Sequence, residues 1–206
     1  MQHLPFEEWA TQWRTLTEME QINNVSEFLI MLNQHEILGF VQKNSIKPIQ
    51  IAQFLSSQMG ERLFSAQQIL REIPFTLTFP SENQSNILVQ GVIDVVLISK
   101  DEHLEIHAEI LDYKTDSFRA MSNDRMVNSE TDPEQILRDR YSLQLSLYAL
   151  AIERLLKIKV TRCTLYSFTL GREIAISDEL RKDIQVLGFP FFSKQPPICA
   201  EVLEEL

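Results

Sequence analysis

The sequence predicts an α/β (α+β) protein with a mixed central β-sheet flanked by helices, and three features of its patterning carry that prediction. Apolar residues recur at three- and four-residue steps through the first third of the chain. β-branched and aromatic runs dominate from Ile69 to Tyr113, and a long amphipathic segment opens at Pro133. With 206 residues, 44% hydrophobic and 23% charged, the composition is that of one folded domain with a packed core. That domain reads as a helical part over 1–64, a sheet core over 65–176 containing a helix over 133–156, and a C-terminal helix and tail over 177–206.

The elements follow in order. Phe6, Trp9, Trp13 and Leu16 step along one helical face, and Val25, Phe28, Leu29 and Leu32 repeat the pattern, so residues 5–64 predict a helical layer. Ser65, before Ala66-Gln67-Gln68, reads as a helix cap or turn. Strands are expected over Ile73–Phe79, Ile87–Ile98 and Leu104–Tyr113. The polar connections at Pro80–Ser85 and Ser99–Glu102 have hairpin length, which makes three consecutive antiparallel strands the simplest arrangement. Ser117–Asp132 is polar and aperiodic, a loop. Asp132-Pro133-Glu134 then starts a helix, because Pro suits the first helical position and Asp can cap the free amides. Ile136, Leu143, Leu147, Leu150 and Leu155 give that helix an apolar side as far as about residue 156. Val160–Phe168 and Glu173–Ile176 read as strands, and Ser177-Asp-Glu opens a last helix around Leu180–Leu187.

Charge and cysteine usage narrow the function classes. A net charge of -10 and a pI near 4.9 oppose free-standing, tight duplex binding, since phosphate neutralisation needs a surplus of Lys and Arg on the contact face. A nucleic-acid substrate would have to be delivered. Cys163 and Cys199 form no CxxC pair, so neither a zinc ribbon nor an iron–sulfur cluster is expected, and both read as buried thiols in a reducing compartment. There is no signal-peptide pattern and no apolar run near the roughly 18 residues that span a bilayer, so a cytoplasmic location is expected.

Chemistry concentrates on three residues. Asp94 interrupts the apolar run Val92–Ile98, and an ionised carboxylate there costs several kcal/mol unless a cation or donors satisfy it. The following strand ends in Asp112-Tyr113-Lys114, where alternation sends Asp112 and Lys114 to one side with Cα atoms about 6–7 Å apart and Tyr113 to the other. If the connection around Asp101–His103 closes a hairpin, Asp94 falls opposite a residue between His107 and Asp112. Converging carboxylates call for a counter-ion, and oxygen ligands with open positions suit Mg²⁺ or Mn²⁺. A lysine beside them suits phosphodiester hydrolysis, orienting or helping to deprotonate a water and offsetting charge that develops on the phosphate. Taken alone, Asp112 and Lys114 also read as a simple ion pair at a strand end.

These residues carry a family resemblance. Gly91-Val-Ile-Asp94, followed by Asp112-Tyr113-Lys114-Thr115-Asp116, resembles the core of the RecB-like PD-(D/E)XK nucleases, and Gln144-Leu-Ser-Leu-Tyr148 resembles their Q-x-x-x-Y helix. Glu72 in Arg71-Glu-Ile-Pro-Phe is similar to the acidic residue of their first strand region. The likeness covers about Leu70 to Phe168 and points to nuclease domains of AddA/RexA-type subunits. It implies a restriction-endonuclease-like core with Asp94, Asp112 and Lys114 catalytic, and with Glu72, Gln144 and Tyr148 in support. It further implies Asp94, Asp112 and the Tyr113 backbone carbonyl as metal ligands, and Tyr141, Gln144 and Tyr148 as substrate contacts. Helical spacing stacks Gln144 and Tyr148 on one face; read without the resemblance, Tyr148 is core and Gln144 caps a strand edge.

What the resemblance implies of function is a Mg²⁺-dependent (or Mn²⁺-dependent) deoxyribonuclease without an Fe–S cluster. It would cut single-stranded DNA fed by an ATP-dependent helicase in the same full-length chain, beside a second nuclease subunit of an AddAB/RexAB-type complex, in double-strand-break resection and recombinational repair. One element departs from the pattern: the family's G-T-x-x-H, whose His joins the metal site, has no match, because none of His3, His35, His103 and His107 follows a Gly-Thr. The start Met1-Gln-His-Leu-Pro is similar to the stretch just after that element, so the chain is expected to begin a few residues late and to cut weakly by itself. A catalytically incomplete nuclease-fold module, serving DNA guidance or protein contact, is the alternative.

Overall fold

The computed structural model describes residues 6–79, 87–116 and 132–186. They fall into two compact units, one running to Ala66 with Ser167–Glu173 added, the other comprising Gln67–Tyr166 and the chain from Ile174.

The first unit is helical. It holds α1 (Phe6–Thr15), α2 (Glu18–Gln34), α3 (Phe40–Ser45), α4 (Pro48–Leu55) and α5 (Gln58–Ser65). Local chemistry sets the breaks. Thr17 and Glu20 form a reciprocal capping box at the start of α2, the Thr17 amide donating to Glu20 at 2.7 Å. Pro48 occupies the first turn of α4, and the Ser57 hydroxyl accepts from the Gly60 amide at the start of α5. Ser65 closes α5, its hydroxyl donating to the Glu61 carbonyl at 2.9 Å. Ala10, Trp13, Val25, Leu29, Ala52 and Phe64 form the core. Phe28, counted in the apolar stripe, is 48% exposed instead. The stripe on α2 narrows to Val25 and Leu29, one turn apart.

The second unit holds the sheet strands β1 (Gln68–Phe79), β2 (Ile87–Lys100) and β3 (Ile106–Lys114), then α6 (Pro133–Leu155), β4 (Lys159–Ser167), β5 (Arg172–Ile176) and α7 (Glu179–Val186). The strands make a five-stranded mixed sheet in the order β1-β2-β3-β4-β5. β1, β2 and β3 are consecutive and antiparallel, as the hairpin-length connections predict. β1 starts at Gln68 rather than Ile73, since Gln68, Ile69 and Leu70 pair with Ile98, Leu97 and Val96. The polar stretches Pro80–Ser85 and Ser117–Thr131 lie outside the described residues.

From Ile93 onward β2 is buried on both faces, with Ile93, Val95, Val96, Leu97 and Ile98 in the core. Asp94 stands within that run. Helix α6, capped by Asp132 through the Glu134 amide, packs Tyr148, Ala149 and Ile152 against Phe75, Ile93, Val96 and Ile110. Its buried face is centred on Leu145, Tyr148, Ala149 and Ile152, at the i, i+3, i+4, i+7 spacing of a helix stripe. Leu143, expected on the apolar side, lies away from that stripe and is 54% exposed. Among the described residues no helix is long and apolar enough to cross a membrane.

Candidate functional site

The register of the sheet determines which residues meet. Arg71 pairs with Val95 and Ile73 with Ile93, which sets Glu72 opposite Asp94. Val95 pairs with Leu111, and one further step sets Asp94 opposite Asp112. Three acids from successive strands thus stand in one row. Glu72 departs from strand geometry at that point, with φ of 52°, a left-handed conformation that costs a non-glycine residue about 1–2 kcal/mol. Its side chain is exposed.

Asp94 and Asp112 are held by different donors. The Tyr113 amide donates to Asp94 Oδ2 at 2.9 Å, at the end of the paired part of β3. Asp112 is 1% exposed; the Lys114 ammonium pairs with its Oδ2, and Gln144 Nε2 approaches its Oδ1 at 3.4 Å. The sequence places Asp112 and Lys114 on one side of β3, and there they form an ion pair. Burial pushes the Asp112 carboxyl above its ordinary range; Lys114 pulls it back through hydrogen bond and charge, and Asp94 and Asp116 push it further up. Tyr113, on the other side of β3, has its hydroxyl pushed up to about 12 by burial.

Helix α6 closes the site from one side. Gln144 also donates to the Tyr148 hydroxyl at 2.5 Å, so one side-chain amide links Tyr148 to Asp112. The Tyr148 ring is 8% exposed and meets Phe75 edge-on, 5.4 Å between centroids. Phe75 pairs with Gly91, and a Cβ at Gly91 would lie 2.8 Å from Phe75 Cε1. The glycine that begins Gly-x-x-Asp therefore makes room for the ring on which Tyr148 rests. A turn earlier on α6, the Tyr141 hydroxyl donates to both Asp116 oxygens at 3.0 Å, and the Lys114 ammonium lies 4.5 Å from the Tyr141 ring centre. Arg140 approaches Asp116 Oδ1 at 3.6 Å.

The donor set fits a hard divalent cation. Asp112 is a buried carboxylate opposed by desolvation and by neighbouring acids, which a cation relieves, and its partner Asp94 is also an oxygen donor. Among the described residues no group of three or more His, Cys, Asp or Glu side chains is gathered to hold a metal. Two carboxylates and main-chain carbonyls would leave several positions for water, the habit of Mg²⁺. Among the described residues no histidine adds a ligand here. His3 lies outside the described residues; His35 caps α2; His103 is exposed in the β2–β3 turn; His107 pairs with Ser99 and, by alternation, faces away from Asp112. Cys163 is a partly buried thiol pushed up to about 12 by burial, and Cys199 lies outside the described residues.

Phe75 and Arg140 were invisible as site neighbours in the sequence, and Asp116 was legible only as the end of a motif. Phe75 carries no polar group, and what brings Arg140 and Asp116 together is the packing of α6 on β3, which no local pattern encodes.

A family model, the PD-(D/E)XK nuclease superfamily, matches residues 10–186, and the chain belongs to that superfamily. Among curated relatives, the chain is similar to the A subunit of the ATP-dependent helicase/nuclease of Desulfitobacterium hafniense, 38% identical over 180 residues, which is 87% of this chain and 12% of that protein. The corresponding proteins of Heliobacterium modesticaldum and Bacillus licheniformis are 36% and 31% identical, over 68% and 83% of this chain and 10% and 13% of their own lengths. The chain thus spans about an eighth of the length of the relatives it matches.

Proposed function

We propose that this chain hydrolyses phosphodiester bonds of single-stranded DNA with the help of Mg²⁺ or Mn²⁺, as the nuclease domain of a helicase-nuclease acting in break resection and recombinational repair in the cytoplasm. The observation that carries the reading is the opposition of Asp94 and Asp112 across β2 and β3 with Lys114 paired to Asp112. Family membership and similarity to the helicase/nuclease proteins support it.

Asp94 and Asp112 would hold the ion, with the Tyr113 carbonyl as a further oxygen. When bound, the ion supplies Lewis acidity at the phosphate and a more acidic water. Lys114 Nζ sits beside that centre, a positive charge able to hold the attacking water and to offset charge growing on the phosphoryl oxygens. Gln144 fixes the orientation of Asp112 and leans on Tyr148, whose ring is anchored on Phe75. Glu72, exposed where the β1–β2 ladder breaks opposite Asp94, would act only as a supporting acid. The chain's net charge of -10 agrees with a substrate delivered by a motor and a partner protein, since tethered feeding raises local DNA concentration without a basic surface.

A second reading, a nuclease-fold module for DNA guidance or protein contact, is favoured by the absence of a three-ligand cluster among the described residues. End-labelled single-stranded DNA incubated with the chain and Mg²⁺ separates the two. The proposal expects shortening that a chelator stops and that Lys114→Ala abolishes; shortening indifferent to Lys114→Ala would overturn it.

A further inference from the structure

We infer that Tyr141, itself oriented by Asp116, is a positioning residue for Lys114 rather than a contact to DNA. The inference rests on the reading of Lys114 as the lysine serving the cutting step. A lysine is a compact charge on a flexible four-carbon stem, and a single ion pair leaves its ammonium free to swing about the carboxylate. Lys114 has a second restraint. Its ammonium pairs with Asp112 and lies 4.5 Å from the centre of the Tyr141 ring, whose negative face attracts a cation. Two contacts from two elements, β3 and α6, define one place for Nζ.

The ring is in turn held in position. Its hydroxyl donates to both oxygens of Asp116 at 3.0 Å, and Asp116 lies just beyond the strand end that carries Lys114. Arg140, the preceding residue on α6, stands 3.6 Å from Asp116 and balances its charge. The chain of contacts therefore closes on itself: Lys114 to the ring of Tyr141, its hydroxyl to Asp116, and Asp116 through the backbone to Lys114. A phosphate would meet a hydroxyl whose proton is already committed to a carboxylate. Burial and the Asp116 hydrogen bond both keep that hydroxyl protonated, so it remains a donor.

The test combines a spectroscopic and a kinetic readout. In the chain labelled with ¹³C at lysine Cε, the Lys114 signal, identified by its loss in Lys114→Arg, is expected upfield of the other lysines because of the Tyr141 ring current. Tyr141→Leu should return it to the common envelope, whereas Tyr141→Phe and Asp116→Asn should leave it between the two. In metal-dependent cutting, Tyr141→Leu should lower kcat about tenfold or more with KM nearly unchanged, since a displacement near 1 Å can cost about a hundredfold, and Tyr141→Phe should recover most of that loss. A parental Lys114 signal inside the envelope, or a Tyr141→Leu variant with raised KM and parental kcat, would overturn the inference. Cutting at the parental rate by Lys114→Ala would defeat the catalytic reading of the lysine instead, and the resonance would then decide the bracing by itself.

Discussion

The main-chain amide of Tyr113 donates to Asp94 Oδ2 at 2.9 Å, tying the β2 carboxylate to β3 beside Asp112. One oxygen of Asp94 is thereby fixed in direction, and the two acids are held face to face without direct bonding. Mg²⁺ or Mn²⁺ is expected to bind there with modest affinity. Calorimetry or broadening of nearby resonances by Mn²⁺ measures it, and unchanged binding after joint Asp94→Ala and Asp112→Ala substitution would remove the site.

Burial acts against the charge of Asp112. Its carboxyl is raised above the ordinary value, so the folded chain holds that proton more tightly than the unfolded one; stability from this group is full below about pH 4 and is lost as pH rises through the folded value. In metal-free buffer at pH 7, Asp112→Asn is therefore expected to raise Tm. A lowered Tm would show that the Lys114 pair outweighs desolvation.

Gly91→Ala tests the support beneath Tyr148. The added Cβ would meet Phe75 at 2.8 and 3.0 Å, and overpacking of a core ring typically costs about 1–3 kcal/mol. Phe75→Leu in the same chain should recover part of the loss, which denaturant unfolding of both variants will show.

Gln144→Ala should slow cutting and leave Tm nearly unchanged, because it removes polar contacts to Asp112 and Tyr148 and leaves the apolar face of α6 in place. Tyr148→Ala should also destabilise, by about 3 kcal/mol, as its ring is buried against Phe75. If Gln144→Ala melts far below the parent, Gln144 belongs to the scaffold.

Legibility in the sequence followed the range of the interactions. Asp94 stood out because a charge in the apolar run Val92–Ile98 has no cheap explanation, and Asp112 with Lys114 because period-two alternation puts both on one face. The hairpin order of β1, β2 and β3 followed from connection length. What stayed hidden depends on contacts distant in sequence. The left-handed backbone of Glu72 arises where the β1–β2 ladder breaks opposite Asp94. Leu143 and Phe28 satisfied an apolar pattern yet face solvent, because their helices bury narrower stripes than the pattern suggested. The Lys114–Tyr141 contact depends on how α6 meets β3.

The most direct measurement of the central claim is degradation of labelled single-stranded DNA in Mg²⁺ by two proteins, the chain and its Asp112→Ala form. Metal-dependent cutting by the chain is expected, and none after Asp112→Ala, since loss of a carboxylate ligand misplaces the attacking water. Cutting by the Asp112→Ala form at the rate of its parent would contradict it.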